Sequence, residues 1–346
     1  MLISVIFAIL FFGLIIFLHE LGHFFFAKLF NVEVEEFSIG MGPKIFSKNA
    51  QDGTLYSLRL LPVGGYVAMD GEDDESDNPN AFCNKSKPKK LCILVAGAFM
   101  NLLLGLVLTL VIVLFSENIY SNKIESFALL NQNGETVTEY QGLLPGDEII
   151  KIGNDRLYVR YDYVFSAMRN GTEECTLTVN RNGEIITIDN FHFPVTSSGS
   201  SQYGNPNFFI PAVKDKNFSS VVLETFGQTT TTAKMVYLSL FDILSGKHSV
   251  SELSGPVGVV KEITESAREG ILSTLFLLSM ITINIGIFNL LPFPALDGGR
   301  ILFILIEAVT RKRINKKIEG YVNAAGLMIL FALMILITFK DITVLF

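Results

Sequence analysis

Four long stretches of the chain carry no charged residue: 1–18, 91–116, 271–296 and 321–339. Each approaches the ~20 apolar residues a helix needs to cross ~30 Å of hydrocarbon. The pattern therefore predicts an α-helical membrane protein with four transmembrane helices. No basic residue precedes the first run and no small-residue cleavage site follows it, so it reads as a retained span rather than a signal peptide. Between the spans the pattern changes. Residues 37–43 and 58–67 read as short strands broken by glycine and proline turns, and 70–77 as a solvated, flexible acidic stretch. After the second run, strand-like segments at 148–152, 175–180 and 185–189 alternate with turns, one of them Asn182-Gly183, and a helix is expected over 161–169. Residues 197–207 read as a loop. Residues 221–244 are too polar to span, with threonines at 229–232, yet 235–244 are apolar enough to lie on a membrane surface or pack against the spans.

Charge orients the spans. Lys85, Lys87, Lys89 and Lys90 stand directly before the second run, and Arg311, Lys312, Arg313, Lys316 and Lys317 separate the third from the fourth. Basic residues at span ends mark the cytoplasmic side, which leaves both termini and the long segment 117–270 outside. Composition agrees with a membrane protein: 49% of residues are apolar and 18% charged. The net charge of -7 and the lack of basic clusters interleaved with aromatics exclude a broadly basic nucleic-acid binder. Cys83, Cys92 and Cys175 lack zinc-ligand spacing and read as ordinary thiols.

The candidate chemistry begins at the end of the first span. His19-Glu20-Leu21-Gly22-His23 matches the H-E-x-x-H pattern. Histidines four apart share a helical face, so both imidazoles can reach one metal ion, with Glu20 about 100° around the helix beside it. Ionisable groups at membrane depth are costly and mark function. Catalytic zinc sites normally take a third protein ligand. His192 and His248 fall in the external segment, on the wrong side, and Asp297 is the better candidate. It ends the third apolar run, after Pro292 and Pro294, which break the helix, and before Gly298 and Gly299, which permit close approach. The plainer alternative is that Asp297 only caps the helix after it. At ~1.5 Å per residue, His19 lies about 25 Å along its helix, in the cytoplasmic third of the bilayer, a level Asp297 reaches from the other direction.

The two motifs together resemble the site-2 protease family of intramembrane metalloproteases, in which an H-E-x-x-H helix and a later L-D-G segment share one zinc ion. The resemblance covers nearly the whole chain and is nearest the bacterial regulator-of-sigma-E type. Gly97-Ala98-Phe99-Met100-Asn101 resembles its motif on the second span, residues 61–67 its membrane-associated β-hairpin, and Ser254-Gly255-Pro256-Val257-Gly258 a segment before the third span. Gly142-Leu143-Leu144-Pro145-Gly146-Asp147 resembles a PDZ turn, so the inserted extracytoplasmic α/β domain is expected to be a PDZ domain that can take peptide tails.

The expected organisation is a first span with H-E-x-x-H (1–30), a β-rich cytoplasmic loop (31–90), a second span (91–116), the PDZ domain (117–213), a linker with an amphipathic segment (214–270), a third span with the L-D-G motif (271–299), a cytoplasmic segment (300–320) and a fourth span (321–346). The resemblance implies a zinc endopeptidase of the bacterial cytoplasmic membrane that cuts single-span membrane proteins after a first external cut. In it Zn2+ is held by His19, His23 and Asp297, Glu20 is the general base, and Asn289 bonds the scissile backbone or the developing oxyanion. Gly64, Gly65, Tyr66, Asn101, Gly142 and Leu143 are expected to contact substrate.

Overall fold

The computed structural model describes residues 2–130, 134, 136–198, 201–245, 255–312 and 314–345. His248, Ser254 and Arg313 lie outside them. By backbone contacts the chain divides into two compact units, 1–108 with 236–346, and 109–235.

Among the described residues, four helices are long and apolar enough to cross a membrane. They belong to α1 (Leu2–Leu29), α2 (Lys87–Phe115), α6 (Ile271–Leu290) and α8 (Lys316–Leu345). Close crossings occur where side chains are small. A Cβ on Gly22 of α1 would lie 2.4 Å from the Ala96 carbonyl oxygen of α2, and one on Gly105 of α2 would lie 2.3 Å from Ile283 of α6.

The third uncharged run is not one helix. α6 stops at Leu290, and a non-helical segment at 291–296 carries Pro292, Pro294 and Ala295 at φ 74°. α7 (Asp297–Thr310) then begins. The expected span 271–299 is thus interrupted, and the segment expected at 300–320 is largely helical. The restart requires glycine: a Cβ on Gly298 would meet the Leu291 carbonyl oxygen at 2.0 Å, and one on Gly299 the Phe293 carbonyl oxygen at 2.4 Å. The Ala295 N–H, freed by the break, donates to Asn323 Oδ1 of α8 at 3.2 Å.

The two short strands expected in the first loop are long and bent, β1 (Val34–Asn49) and β2 (Leu55–Met69), antiparallel with several register shifts. Gly40, Gly42 and Gly64, all at positive φ, supply the bends. Residues 36–39 pair on one side with 65–68 and on the other with 55–58, while 44–49 pair with 55–59. Residues 65–68 therefore form one outer edge of the sheet. Phe37, Val67 and Met69 join Ala27, Ile93, Leu94 and Ile304 in a core that fastens the sheet to α1, α2 and α7.

The acidic stretch after β2 is folded rather than freely solvated, because its carboxylates find local donors. Asp70 accepts from Ser76 and Asn78, and the Phe82 N–H donates to the Asp70 carbonyl. Glu72 and Asp73 pair with Arg300 of α7.

The second unit carries β3 (Ile119–Phe127), β4 (Glu148–Ile152), β5 (Asp155–Arg156), α3 (Arg160–Asn170), β6 (Cys175–Arg181), β7 (Glu184–Phe191), β8 (Val195–Ser198), β9 (Ser201–Gly204) and β10 (Phe209–Lys214). Its main sheet has the order β10-β3-β4-β6-β7, with β5 on β4. The segment expected as a loop at 197–207 contains the β8–β9 hairpin instead. Phe127, Phe191, Phe208 and Tyr163 are buried in a core that mixes aromatic with aliphatic side chains. Asn182 and Gly183, both at positive φ, make the expected β6–β7 turn.

The linker expected at 214–270 contains α4 (Phe218–Leu244) and α5 (Pro256–Glu269). The threonines of α4 fit a helix because Thr225, Thr229, Thr230 and Thr232 return their hydroxyls to the carbonyls four residues earlier.

Candidate metal centre

The H-E-x-x-H pentapeptide lies in the C-terminal half of α1, and Asp297 is the first residue of α7. Helical spacing places His19 and His23 one turn apart on the same face, and the break after α6 turns Asp297 onto that face. The result is a tight triangle. His19 Nε2 is 3.1 Å and His23 Nε2 3.4 Å from Asp297 Oδ2, and the two Nε2 atoms are 3.2 Å apart. The side chains are 12, 9 and 19% exposed.

The triangle suits a cation for two reasons. Two ligands on a tetrahedral zinc at 2.0–2.1 Å are ~3.3 Å apart, close to all three edges. The protons are also committed elsewhere. His23 Nδ1 stands 2.8 Å from the Ile93 carbonyl oxygen, which accepts its N–H and leaves Nε2 with a lone pair facing the other two atoms. Asp297 Oδ2, although buried, has no hydrogen-bond donor. Lone pairs that converge in this way repel unless a metal ion lies among them.

Asn101 acts behind the triangle, not on its open side. It is fully buried, its amide lies 3.4 Å from His19 Nδ1, and its Oδ1 is without a partner. Turning the amide over lets Oδ1 accept the His19 Nδ1–H, which satisfies the orphaned oxygen and leaves Nε2 free to face the other two atoms. Asn101 was expected to contact substrate; here it is fully buried and is not among the residues lining the cleft over the triangle. Gly97 makes room for the ligands. A Cβ there would lie 2.3 Å from His23 Nε2 and 2.7 Å from His19 Cε1.

A cleft of about 370 Å³ opens over the triangle. Glu20 lines it, as do Tyr66, Val67 and Ala68 of the outer β2 edge, and Glu72, Asp73 and Arg300. Gly65 lets β2 lie close along β1, since a Cβ there would meet the Ser38 carbonyl oxygen at 2.7 Å, while Glu20 Cγ would be in ordinary contact with it at 3.6 Å. Gly64 supplies the bend before it. The Tyr66 hydroxyl is held by Arg59 at 2.5 Å, and Arg59 by Glu36 at 2.8 Å. Burial raises the Glu36 pKa, but hydrogen bonds from Ser57, Arg59, Tyr66 and Lys44 outweigh it and bring the carboxyl down to about 2.

The chain belongs to peptidase family M50. The model of that family matches residues 7–333, which contain both motifs. A protein of Clostridium acetobutylicum, 38% identical over 98% of this chain and 97% of its own, carries the words zinc metalloprotease in its name. So does one of Fusobacterium nucleatum, 35% identical over 98% of each chain. The zinc metalloprotease RasP of Oceanobacillus iheyensis is 29% identical over 99% of each. The chain is accordingly a zinc metalloprotease of the site-2 protease family, and Zn2+ is its metal.

Other expected site residues fare unevenly. Asn289 is half-buried near the end of α6 and is not among the residues lining the cleft. Leu143 is buried in the core of the second unit, and its N–H and carbonyl are both spent on Tyr140. The Gly142 carbonyl accepts from Arg181, which also holds Asp147 at 2.7 and 2.8 Å. That loop is a closely bonded turn, with the Leu143 side chain in the core. Sequence reasoning missed Glu72 and Arg300. Arg300, a charge one turn beyond Asp297 at the end of an apolar run, was a readable signal; Glu72 had none, being one acid among several.

Proposed function

We propose that this protease hydrolyses peptide bonds in or near the transmembrane segment of single-span membrane proteins, after a first extracytoplasmic cut has shortened them. The observation that carries the reading is the placement of His19, His23 and Asp297. They converge within 3.4 Å on helices that are, or directly follow, segments apolar enough to cross a bilayer. A substrate reaching them must come within the membrane or at its edge.

Bound zinc supplies the Lewis acidity that makes water nucleophilic near neutral pH. The chain's own groups do the rest. Glu20 takes the proton of the attacking water and returns it to the leaving amine. Asn101 and the Ile93 carbonyl hold the imidazoles in the tautomer that leaves Nε2 free. The edge at 65–68, paired on one side only and open to the cleft, accepts the substrate as an added strand, which unwinds its helix and presents the bond. Asn289 retains a proposed role in bonding the scissile backbone, reached by a shift of the α6 end toward the cleft.

The positive clusters support a cytoplasmic position for the sheet and the metal, with both termini outside a bacterial cytoplasmic membrane. Ile45, Phe46, Leu60 and Leu61 give the sheet an exposed apolar fringe suited to lipid. The inserted unit is read as a PDZ domain. Peptide addition there needs an open sheet edge, and the outer strands are β7 and β10.

The test is cleavage of a truncated single-span reporter co-expressed with wild type or Glu20→Gln. Cleavage by wild type alone, with zinc in both, supports the reading; a wild type that cuts soluble proteins and spares the reporter would sink it. A proline scan along the substrate tests the added strand. Loss of cleavage at alternate positions is expected, because only alternate N–H groups of a strand face its partner.

A further inference from the structure

Arg300 is one helical turn beyond Asp297 and so lies on the same face of α7. Its guanidinium forks between two carboxylates, Nη1 to Glu72 and Nη2 to Asp73 Oδ1 at 2.7 Å. Both acids follow directly on β2, whose Met69 carbonyl accepts the Glu72 N–H at 3.2 Å. The Glu72 backbone is held a second time, by Lys316 Nζ at 3.2 Å. Of the two ion pairs, the one with Glu72 matters more: its side chain is 18% exposed, against 78% for Asp73, where water screens the attraction. All three residues line the metal cleft. Behind them a second, polar cavity of about 240 Å³ is also lined by Glu72 and Arg300, so packing alone does not prevent this wall from shifting.

We propose that Arg300 is a positioning residue that sets the cleavage register. It ties the end of the substrate-bearing strand to the helix that carries the third zinc ligand, and so decides which bond of an added strand meets the metal. The inference rests on the reading of 65–68 as the substrate edge. A strand that slips keeps its side chains on the same face only by moving two residues. A loosened wall therefore gives extra cuts two residues from the normal bond. Lysine cannot replace the fork, because an ammonium is a single point charge.

The experiment uses the full-length enzyme in lipid vesicles with the single-span reporter, reading zinc content, kcat/KM and the cut bonds by mass spectrometry. For Arg300→Gln we expect zinc retained, kcat/KM reduced about tenfold or more, and secondary cuts displaced by two residues. Glu72→Gln should show the same pattern more mildly, Arg300→Lys an intermediate one, and the exchange Glu72→Arg with Arg300→Glu a return toward one cut. Cuts that stay at a single bond in both Arg300→Gln and Glu72→Gln, whatever the rate, overturn the proposal. So does loss of zinc in both, which would make the pair part of the metal site. The strand reading fails separately: the proline scan on the wild-type enzyme would then show no alternation.

Discussion

At the scale of single residues, the space around the proposed metal ligands His19, His23 and Asp297 is as decisive as those side chains themselves. Gly97 has no Cβ, and one placed there would stand 2.3 Å from His23 Nε2. Alanine is the better helix former, yet Gly97→Ala is expected to abolish zinc binding while α2 stays helical, checked by metal analysis beside circular dichroism. Glu20→Gln should do the reverse, retaining zinc and losing about 10²–10⁴-fold in cleavage rate. Asp297→Ala removes the acid that completes the triangle, and should lose both metal and activity. His19 and His23 were legible as a candidate pair because four-residue spacing on a helix is local geometry. Asn101 was legible only as a residue of interest: that it faces His19 depends on how two distant helices cross.

At the scale of elements, the largest departures from expectation come where polar groups satisfy one another. Residues 70–77 look solvated by composition, yet Asp70 has partners in its own loop and Glu72 has one in α7. The threonines of α4 make it too polar to read as a span, yet their hydroxyls return to the helix backbone. In the β1–β2 sheet, Glu36 gathers Ser57, Arg59 and Lys44 and so steadies Tyr66 at the cleft. Because its folded pKa is lowered, from 4.5 to about 2, its contribution is complete above the unfolded value and lost as pH falls through about 2. Glu36→Gln should therefore expose the sheet to protease at pH 7 and at pH 5 alike. The gap from wild type should close only near pH 2, as followed by limited proteolysis with an acid-active enzyme.

At the scale of the whole molecule, the sheet-bearing part of the second unit is an insertion whose ends meet. Ile119 at the start of β3 pairs with Lys214 at the end of β10, so the chain enters and leaves at one place. Replacing 119–214 with a short glycine-serine turn should leave zinc content unchanged and alter which substrates are cut. Loss of zinc on excision would show that the metal centre depends on the inserted unit. Cys175 reports on that unit's integrity. Burial pushes its thiol up to about 11, so maleimide should label it slowly at pH 8 in the native protein and quickly once unfolded.

What the sequence determined by itself is whatever short-range periodicity controls: four apolar runs, the helical spacing of His19 and His23, the strands at 148–152 and 175–180, and the turn at Asn182-Gly183. It also marked Asp297 as costly where it stands. Tertiary structure decided everything that joins distant segments. The break at 291–296 turns Asp297 onto the histidines, Gly97 leaves space beneath them, and the β2 edge forms one wall of the cleft. Arg300 reaches across to Glu72, a contact between residues more than two hundred positions apart. No local pattern encodes such a contact, because an arginine and a glutamate have the same appearance in sequence whether they face water or each other.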